Sequence, residues 1–394
     1  MSRLLQVQNF IGVYKNILLS RAIKKIGWVV MKKKSCVNSI SISGRRISQE
    51  DSPYVIAEIS ANHNGELGRA KKLIDVAKSS GADAVKLQTY KPDTITLDHD
   101  SQDFIIEGGL WNGRSLYDLY SQAYMPWEWT GPLFDHARKI GITIFSSPFD
   151  RSAVDLLEDL GAPAYKIASF EAIDHDLIGY VAKTGKPVII STGMANDIEI
   201  QEAIDVARSA GCKELAILHC VSGYPAAPSD YNLRTVTDMI GRFGCVTGLS
   251  DHTLDNTTAI ASIALGASIV EKHFTIDRSH GGPDDSFSLE PQELENLCDG
   301  VKTVWSSLGK VNYGLKSSEM GNIKLRRSLY FVRDLSIGDI ITRDDVRSIR
   351  PGFGLAPKFL DQVIGATVSR DVNYGHPVTD DSYLRVHDQK YKKR

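Results

Sequence analysis

VTGLSDHTLDNTTAIASIALGASIVEKH, residues 246–273, contains the repeating unit of the chain. A short apolar run, Val246–Leu249, ends in Ser250-Asp251-His252. A helix-period segment follows over Asn256–Leu265, and a second apolar run, Ile269–Val270, ends in Glu271-Lys272-His273. Strand, helix and strand in that order make a parallel β-α-β unit. Upstream the same texture recurs. Tyr54–Ile56 precedes Glu58, Ala82–Val85 precedes Lys86, Ile142–Phe145 precedes Ser147, and Ala162–Tyr165 precedes Lys166. Val188–Ile190 precedes Ser191, and Leu215–Leu218 precedes His219. Eight such units over about 250 residues predict an α/β fold, a (β/α)8 TIM barrel with its active site at the C-terminal ends of the strands.

Between the runs lie segments of helical periodicity. In ELGRAKKLIDVAKSSGA, Leu67, Ala70, Leu73, Ile74 and Ala77 share one face and Gly81 stops the helix. Further helices are expected over Pro126–Ile140, Ser152–Leu160, Asp174–Lys183, Asp197–Ala210, Tyr231–Phe243 and Pro291–Leu308. Lys91–Tyr124 is long for a loop of this fold, which suits a cover over the barrel mouth or an oligomer contact. SISGRRI, Ser41–Ile47, reads as a hairpin turning at Gly44 and able to plug the bottom of a barrel.

The chain's 394 residues exceed one barrel. The expected organisation is an N-terminal extension over 1–40, a barrel over 41–308, a linker over 309–327 and a small β-rich domain over 328–388. Residues 1–30 are expected to lack order, with Met31 the working start. The last domain holds only a marginal core and is expected to lean on the barrel or on another subunit. Apolar (42%) and charged (24%) contents are those of a globular protein, and no run of eighteen apolar residues suggests a membrane span. The five cysteines form no CxxC pair, which suits the cytoplasm better than a disulfide framework. Residues 1–50 carry ten Lys/Arg and one acidic residue, leaving 36 basic and 47 acidic residues, net −11, in the remainder. An acidic body argues against nucleic acid as a partner.

Candidate chemistry follows from the strand ends. His252 and His273 end adjacent strands, within reach of one divalent ion. Two imidazoles leave positions open for water and substrate oxygens, which suits a Lewis acid such as Mn2+, Mg2+ or Co2+ better than a closed zinc site. Lys86 and Lys166 lie in apolar strands. Either one is a Schiff-base lysine, or the pair clamps a carboxylate or phosphate. The hydroxyls of Ser147, Ser169, Ser191 and Ser250 favour the clamp. Glu58 faces inward by alternation with Ile56. It and Glu171 are candidates for a general base, for binding a sugar hydroxyl, or for pairing the buried lysines.

AEISANHNG (57–65), DAVKLQTY (83–90), SSPFD (146–150), AYKIASFE (164–171), ISTGMA (190–195), LHCVSGYP (218–225), GLSDHT (248–253) and EKHFTIDR (271–278) with GGPDDSFSLEP (281–291) resemble the sialic acid synthase family. These enzymes condense phosphoenolpyruvate with an N-acetylated amino sugar. The resemblance runs from about Ser41 to Leu384 and includes an antifreeze-like (SAF) domain near Ser328–Leu384. It implies that His252 and His273 hold the metal, Mn2+ first among the choices. Lys86, Ser147 and Lys166 would grip the carboxylate of phosphoenolpyruvate, and Ser169, Ser191 and Ser250 its phosphate. Ser222 stands where neuraminate synthases place a phosphate-binding Asn. Tyr224, Glu171 and Asp284 would lie along the sugar, with Glu58 beside the reacting centre. Arg350 would reach the site of a second copy and bind the sugar's acyl group, implying a domain-swapped homodimer.

Within the family, DFIIEGGLW (103–111) with RSLYDLY (114–120), and RPGFGLAPKF (350–359), most resemble the branch that takes 2,4-diacetamido-2,4,6-trideoxy-L-altrose. Branches acting on N-acetylmannosamine or the legionaminate precursor are the alternative. A 6-deoxy sugar calls for an apolar wall, for which Trp111, Phe287 and Phe353 are candidates; GGLW either shapes that pocket or caps the barrel. A pyruvate aldolase would not need the serine set. A carbohydrate-binding or ice-binding protein would not need the reactive set at the barrel mouth.

Overall fold

The computed structural model describes residues 39–384. They fall into two compact units dividing between Gly309 and Lys310. The expected extension over residues 1–30, with Met31 as start, lies outside the described residues, as do the last residues of the expected 328–388 domain.

The first unit opens with an antiparallel hairpin, β1 (Ile40–Ile42) and β2 (Arg45–Ile47). Eight parallel strands then close a barrel: β3 (Tyr54–Glu58), β4 (Ala84–Thr89), β5 (Thr143–Pro148), β6 (Tyr165–Ile167), β7 (Val188–Ser191), β8 (Leu215–Cys220), β9 (Val246–Asp251) and β10 (Ile269–His273). Each strand pairs with its sequence neighbour, and β10 closes on β3 in the register Ile269↔Tyr54 through His273↔Glu58. The eight expected strands are all present. Each is buried on both faces, so each reads as a nearly continuous apolar run rather than an alternating one.

Alternation inside the barrel places the chemistry. One apolar cluster contains Tyr54, Ile56, Ala84, Phe145, Ala164, Ile189, Ala216, Leu218, Val246 and Ile269 from the strands, with Ile40, Ile42 and Ile47 of the hairpin. The hairpin thus packs into the N-terminal end of the barrel. A strand repeats its face every second residue. Two residues beyond that layer the inward positions are Glu58, Lys86, Ser147, Lys166, Ser191, Cys220 and Glu271, with Ser250 and His273 a further step along their strands. The apolar layer is a floor, and the polar set stands on it at the C-terminal mouth. At Gly248 the wall is tight: a Cβ there would lie 2.4 Å from the Ile269 carbonyl oxygen.

The flanking helices bury their apolar stripes against the outer strand faces, with Leu73, Ile74, Phe134, Val154, Ile178, Ile204, Ile263 and Leu297 in one cluster. Local sequence starts and stops them. The Asp150 carboxylate accepts from the amides of Ser152 and Ala153 at the head of Arg151–Asp159. Asn196 and Glu199 form a capping box on Asp197–Ser209. Gly141, at φ 75°, ends Trp127–Ile140. The helix expected from Tyr231 begins instead at Arg234, because Pro228–Asp230 forms a 3-10 turn first. Tyr231 is fully buried and its hydroxyl accepts from the amide of His252 at 2.7 Å.

The second unit pairs β11 (Ser328–Phe331) with β12 (Val346–Ile349) and β13 (Thr367–Val368) with β14 (Tyr383–Leu384), all antiparallel. Its small core includes Leu329, Phe331, Ile341, Val346, Val363, Val378 and Tyr383. Residues expected to be a bare linker belong to this unit: Ser317–Leu325 forms a 3-10 segment, and the Lys324 carbonyl accepts from Gly352 N at 2.9 Å.

Candidate active site

Two carboxylates and two ammonium groups alternate across the barrel mouth. Lys86 Nζ lies 2.9 Å from Glu58 Oε2 and 2.9 Å from Glu271 Oε1. Lys166 Nζ lies 3.3 Å from the same oxygen of Glu271, and Lys86 Nζ donates to Ser147 Oγ at 3.4 Å. All four charged side chains are buried. Charges taken out of water persist only when paired. Here two carboxylates share two cations, so an entering anion would meet ammonium groups already fixed in place.

Their environments push the two carboxylates apart. Burial raises the Glu58 pKa to about 7, against the opposing pull of Lys86. Burial also disfavours the charged form of Glu271, but Lys166 and Lys86 together outweigh it and hold that pKa near 2. Lys166 is lowered, mainly by burial. Lys86 is raised because Glu271 and Glu58 overcome the cost of burying it. Glu271 is a permanent anion between two cations; Glu58 is a carboxyl group able to exchange a proton near neutrality. Its Oε1 accepts from Ser60 N at 2.9 Å and from Gln88 Nε2 at 3.3 Å, which aims the group.

Hydroxyls gather beside this network. Ser169 Oγ accepts from Gly193 N at 3.1 Å. A Cβ at Gly193 would lie 2.2 Å from Ser222 Oγ and 2.8 Å from Ser169 Oγ, so the absent side chain leaves a cradle between the two hydroxyls. Ser191 Oγ and Ser222 Oγ are buried and bond to no protein atom among the described residues. Ser191 and Ser222 thus have hydrogen-bonding capacity to spare, and Ser222 has it beside the gap at Gly193. Ser250 is buried at the end of β9.

The imidazoles of His252 and His273 stand 5.5 Å apart, centroid to centroid. His252 Nδ1 lies 2.7 Å from the Val221 carbonyl. A carbonyl only accepts, so Nδ1 carries the hydrogen and Nε2 is left for a ligand, the orientation that metal-binding histidines usually take. Burial disfavours charge on both rings. At His252 the Cys220 thiol, 3.9 Å from Nδ1, outweighs it and raises the pKa; at His273 the His252 ring adds to it and holds the pKa well below the usual value. Asp284 Oδ2 stands 3.8 Å from His273 Nδ1, and burial raises its pKa. Among the described residues no three His, Cys, Asp or Glu side chains gather as a ready metal cage. The two nitrogens fit an open site completed by water and substrate oxygens.

The Tyr224 ring lies 4.4 Å from His252 and 5.3 Å from Phe287. Glu171 follows β6; burial raises its pKa to about 7, and its Oε2 is buried without a hydrogen-bond partner. The barrel therefore carries every sequence-derived site residue except Arg350. That residue is exposed in the second unit, just after β12, as is Phe353. Sequence reasoning passed over Glu271, Gln88 and Gly193. Glu271 was legible: alternation with His273 turns it inward and sends Lys272 outward, where Lys272 pairs with Asp251 at 2.8 Å.

Fold and site together define a TIM-barrel enzyme whose mouth sets two buried lysines and a group of hydroxyls beside a pair of imidazoles. The chain belongs to the NeuB family, whose model matches residues 73–313, and a SAF domain matches residues 326–383. It is 40% identical to the pseudaminic acid synthase of Campylobacter jejuni strain 81-176, over 84% of this chain and 96% of that one. It is also 40% identical to the pseudaminic acid synthase of Helicobacter pylori, over 84% of this chain and 98% of that one. An N,N'-diacetyllegionaminic acid synthase of Campylobacter jejuni is 35% identical over 80% of this chain and 96% of its own length. The crystal structure of N-acetylneuraminic acid synthetase from Leptospira borgpetersenii, in complex with citrate, superposes with a TM-score of 0.65 at 28% identity, covering 72% of this chain and 95% of that one. Among the described residues no helix is long and apolar enough to cross a membrane.

Proposed function

We propose that the protein is a pseudaminic acid synthase, condensing phosphoenolpyruvate with 2,4-diacetamido-2,4,6-trideoxy-L-altrose and water to give pseudaminate and phosphate. The observation that carries the reaction class is the adjacency of two lysines and a hydroxyl cradle to a pair of imidazoles. The acceptor rests on the two pseudaminic acid synthases at 40% identity.

In this reading Lys86, Ser147 and Lys166 hold the carboxylate of phosphoenolpyruvate, and Ser169, Ser191, Ser222 and Ser250 surround its phosphate. A divalent ion, Mn2+ first among the candidates, would sit on His252 and His273 and polarise the acceptor's aldehyde. Fixing the trianionic substrate beside that aldehyde removes the entropy of encounter before the bond forms. The C2=C3 electron pair of phosphoenolpyruvate forms the bond from carbon 3 to the aldehyde carbon, the carbonyl pair moves to the aldehyde oxygen, which takes a proton from solvent, and positive charge develops at carbon 2. Glu58 steadies that charge and accepts a proton from the water that adds there. The hydroxyl of the tetrahedral adduct then gives up its proton as the C–O bond to phosphate breaks, leaving the ketone, and the departing phosphate carries that proton away. Tyr224, Glu171 and Asp284 flank the sugar. We further propose a homodimer in which Arg350 of a second copy binds the acyl group.

Phosphate release from phosphoenolpyruvate with Mn2+ tests the reading, using the altrose sugar, N-acetylmannosamine and the legionaminate precursor in parallel. Release with the altrose sugar alone is expected. Release with one of the others alone would keep the reaction class and overturn the acceptor. No release with any of them, from folded metal-loaded protein, would overturn the proposal.

A further inference from the structure

We infer that Trp111, with Tyr224 and Phe287, forms an apolar wall that receives the methyl end of a 6-deoxy acceptor sugar, and that Trp111 sets the preference for methyl over hydroxymethyl. This rests on the proposed synthase reading and concerns the same site.

The long segment after β4 folds back on itself between Ile105 and Ser115, which form an antiparallel bridge. Ile106 N donates to Arg114 O at 2.9 Å and Gly113 N to Ile106 O at 2.8 Å, so GGLW occupies the tip of a closed turn. The tip is anchored at the barrel mouth. Trp111 Nε1 donates to the Pro283 carbonyl at 3.2 Å, one residue before Asp284. With its single polar atom satisfied, the indole presents carbon surface.

Tyr224 joins the indole to the imidazoles, lying beside both His252 and His273. Trp111 lies 5.7 Å from Tyr224, which lies 5.3 Å from Phe287, which lies 5.0 Å from His273. Tyr224 also stands 4.4 Å from His252. The run begins at the imidazoles, where the reacting aldehyde would sit, and ends at the indole. An open-chain sugar with carbon 1 at the imidazoles lays its far end along this run. The indole carbons offer no hydrogen-bond partner to a hydroxyl there, whereas a methyl gains contact; Phe287, 3% exposed, backs the Tyr224 ring from within. Pockets of this kind discriminate one small group by roughly ten- to two-hundredfold.

The test is kcat/KM, read by phosphate release, for the 2,4-diacetamido-2,4,6-trideoxy sugar and for the same sugar bearing a 6-hydroxyl, with wild type, Trp111→Ala and Trp111→Phe. Wild type should prefer the 6-deoxy sugar by roughly tenfold or more. Trp111→Ala should collapse that preference by losing rate on the 6-deoxy sugar alone, with KM for phosphoenolpyruvate unchanged. Trp111→Phe, which keeps a flat apolar ring, should retain most of it. Equal loss on both sugars in Trp111→Ala, or an unchanged preference, would overturn the wall. A wild type active on both sugars without preference would overturn the wall and leave the synthase reading intact. A wild type that releases phosphate with no amino sugar would overturn both.

Discussion

Lys86 and Glu58, register partners on adjacent strands, meet at 2.9 Å at the mouth of the barrel with both side chains buried. The pair sits where a polar layer replaces the apolar floor. Because Glu271 draws on the same ammonium, Glu58 is not fully neutralised, and burial leaves its pKa at about 7.

If Glu58 accepts a proton, its ionised form is the active one. The proton is held until the pH passes about 7, so kcat/KM should rise with pH through that region. Glu58→Gln should cost about 10²- to 10⁴-fold in kcat and flatten the ascending limb. A variant with wild-type rate and an unaltered profile would remove Glu58 from the reaction.

Glu271 acts through the lysines. Glu271→Gln leaves two buried ammonium groups short of a counter-charge, which should cost about 3–5 kcal/mol of stability by denaturant titration. Phosphoenolpyruvate at a hundred times its Kd should restore about 2.7 kcal/mol to whatever fraction still folds. A variant as stable as wild type, with an unchanged KM, would show that the two lysines do not depend on Glu271.

Gly193→Ala puts a methyl into the hydroxyl cradle, 2.2 Å from the present position of Ser222 Oγ. The fold should survive, because the strand before it is untouched. KM for phosphoenolpyruvate should rise by an order of magnitude while the acceptor KM moves little. An unchanged value would place the phosphate elsewhere.

His252→Ala removes one of the two imidazoles. Calorimetric titration with Mn2+ should show binding weaker by at least about 10- to 100-fold, with circular dichroism unchanged. Retained tight binding would reassign the ligand.

Arg350→Ala should raise the acceptor KM more than that for phosphoenolpyruvate, and should be complemented by mixing with a barrel-defective variant such as Glu58→Gln. An unaltered acceptor KM would take the second unit out of the site.

The strand-end residues were legible for one physical reason. A strand buried on both faces admits a polar residue only where it serves chemistry or a buried pair, so Glu58, Lys86, Ser147, Lys166 and Ser191 stood out against apolar runs. Glu271 escaped notice because it sits between Val270 and a second charged residue, Lys272, and only the alternation of the strand tells which of the two faces inward. The start of the helix expected at Tyr231 was misplaced because Tyr231 is buried under β9 and contacts the His252 amide, a tertiary role with no local signature.

The order of apolar runs, their caps and their terminal polar residues determined the barrel, its active end and the chemical types present there, because backbone hydrogen bonding and period-two alternation are local rules. Which charges share a partner, that a missing Cβ at Gly193 opens a cradle, and that Trp111 meets Tyr224 across 113 positions of chain were decided only by closure of the barrel. Those relations join residues far apart in sequence, and no local propensity encodes a distance across the mouth.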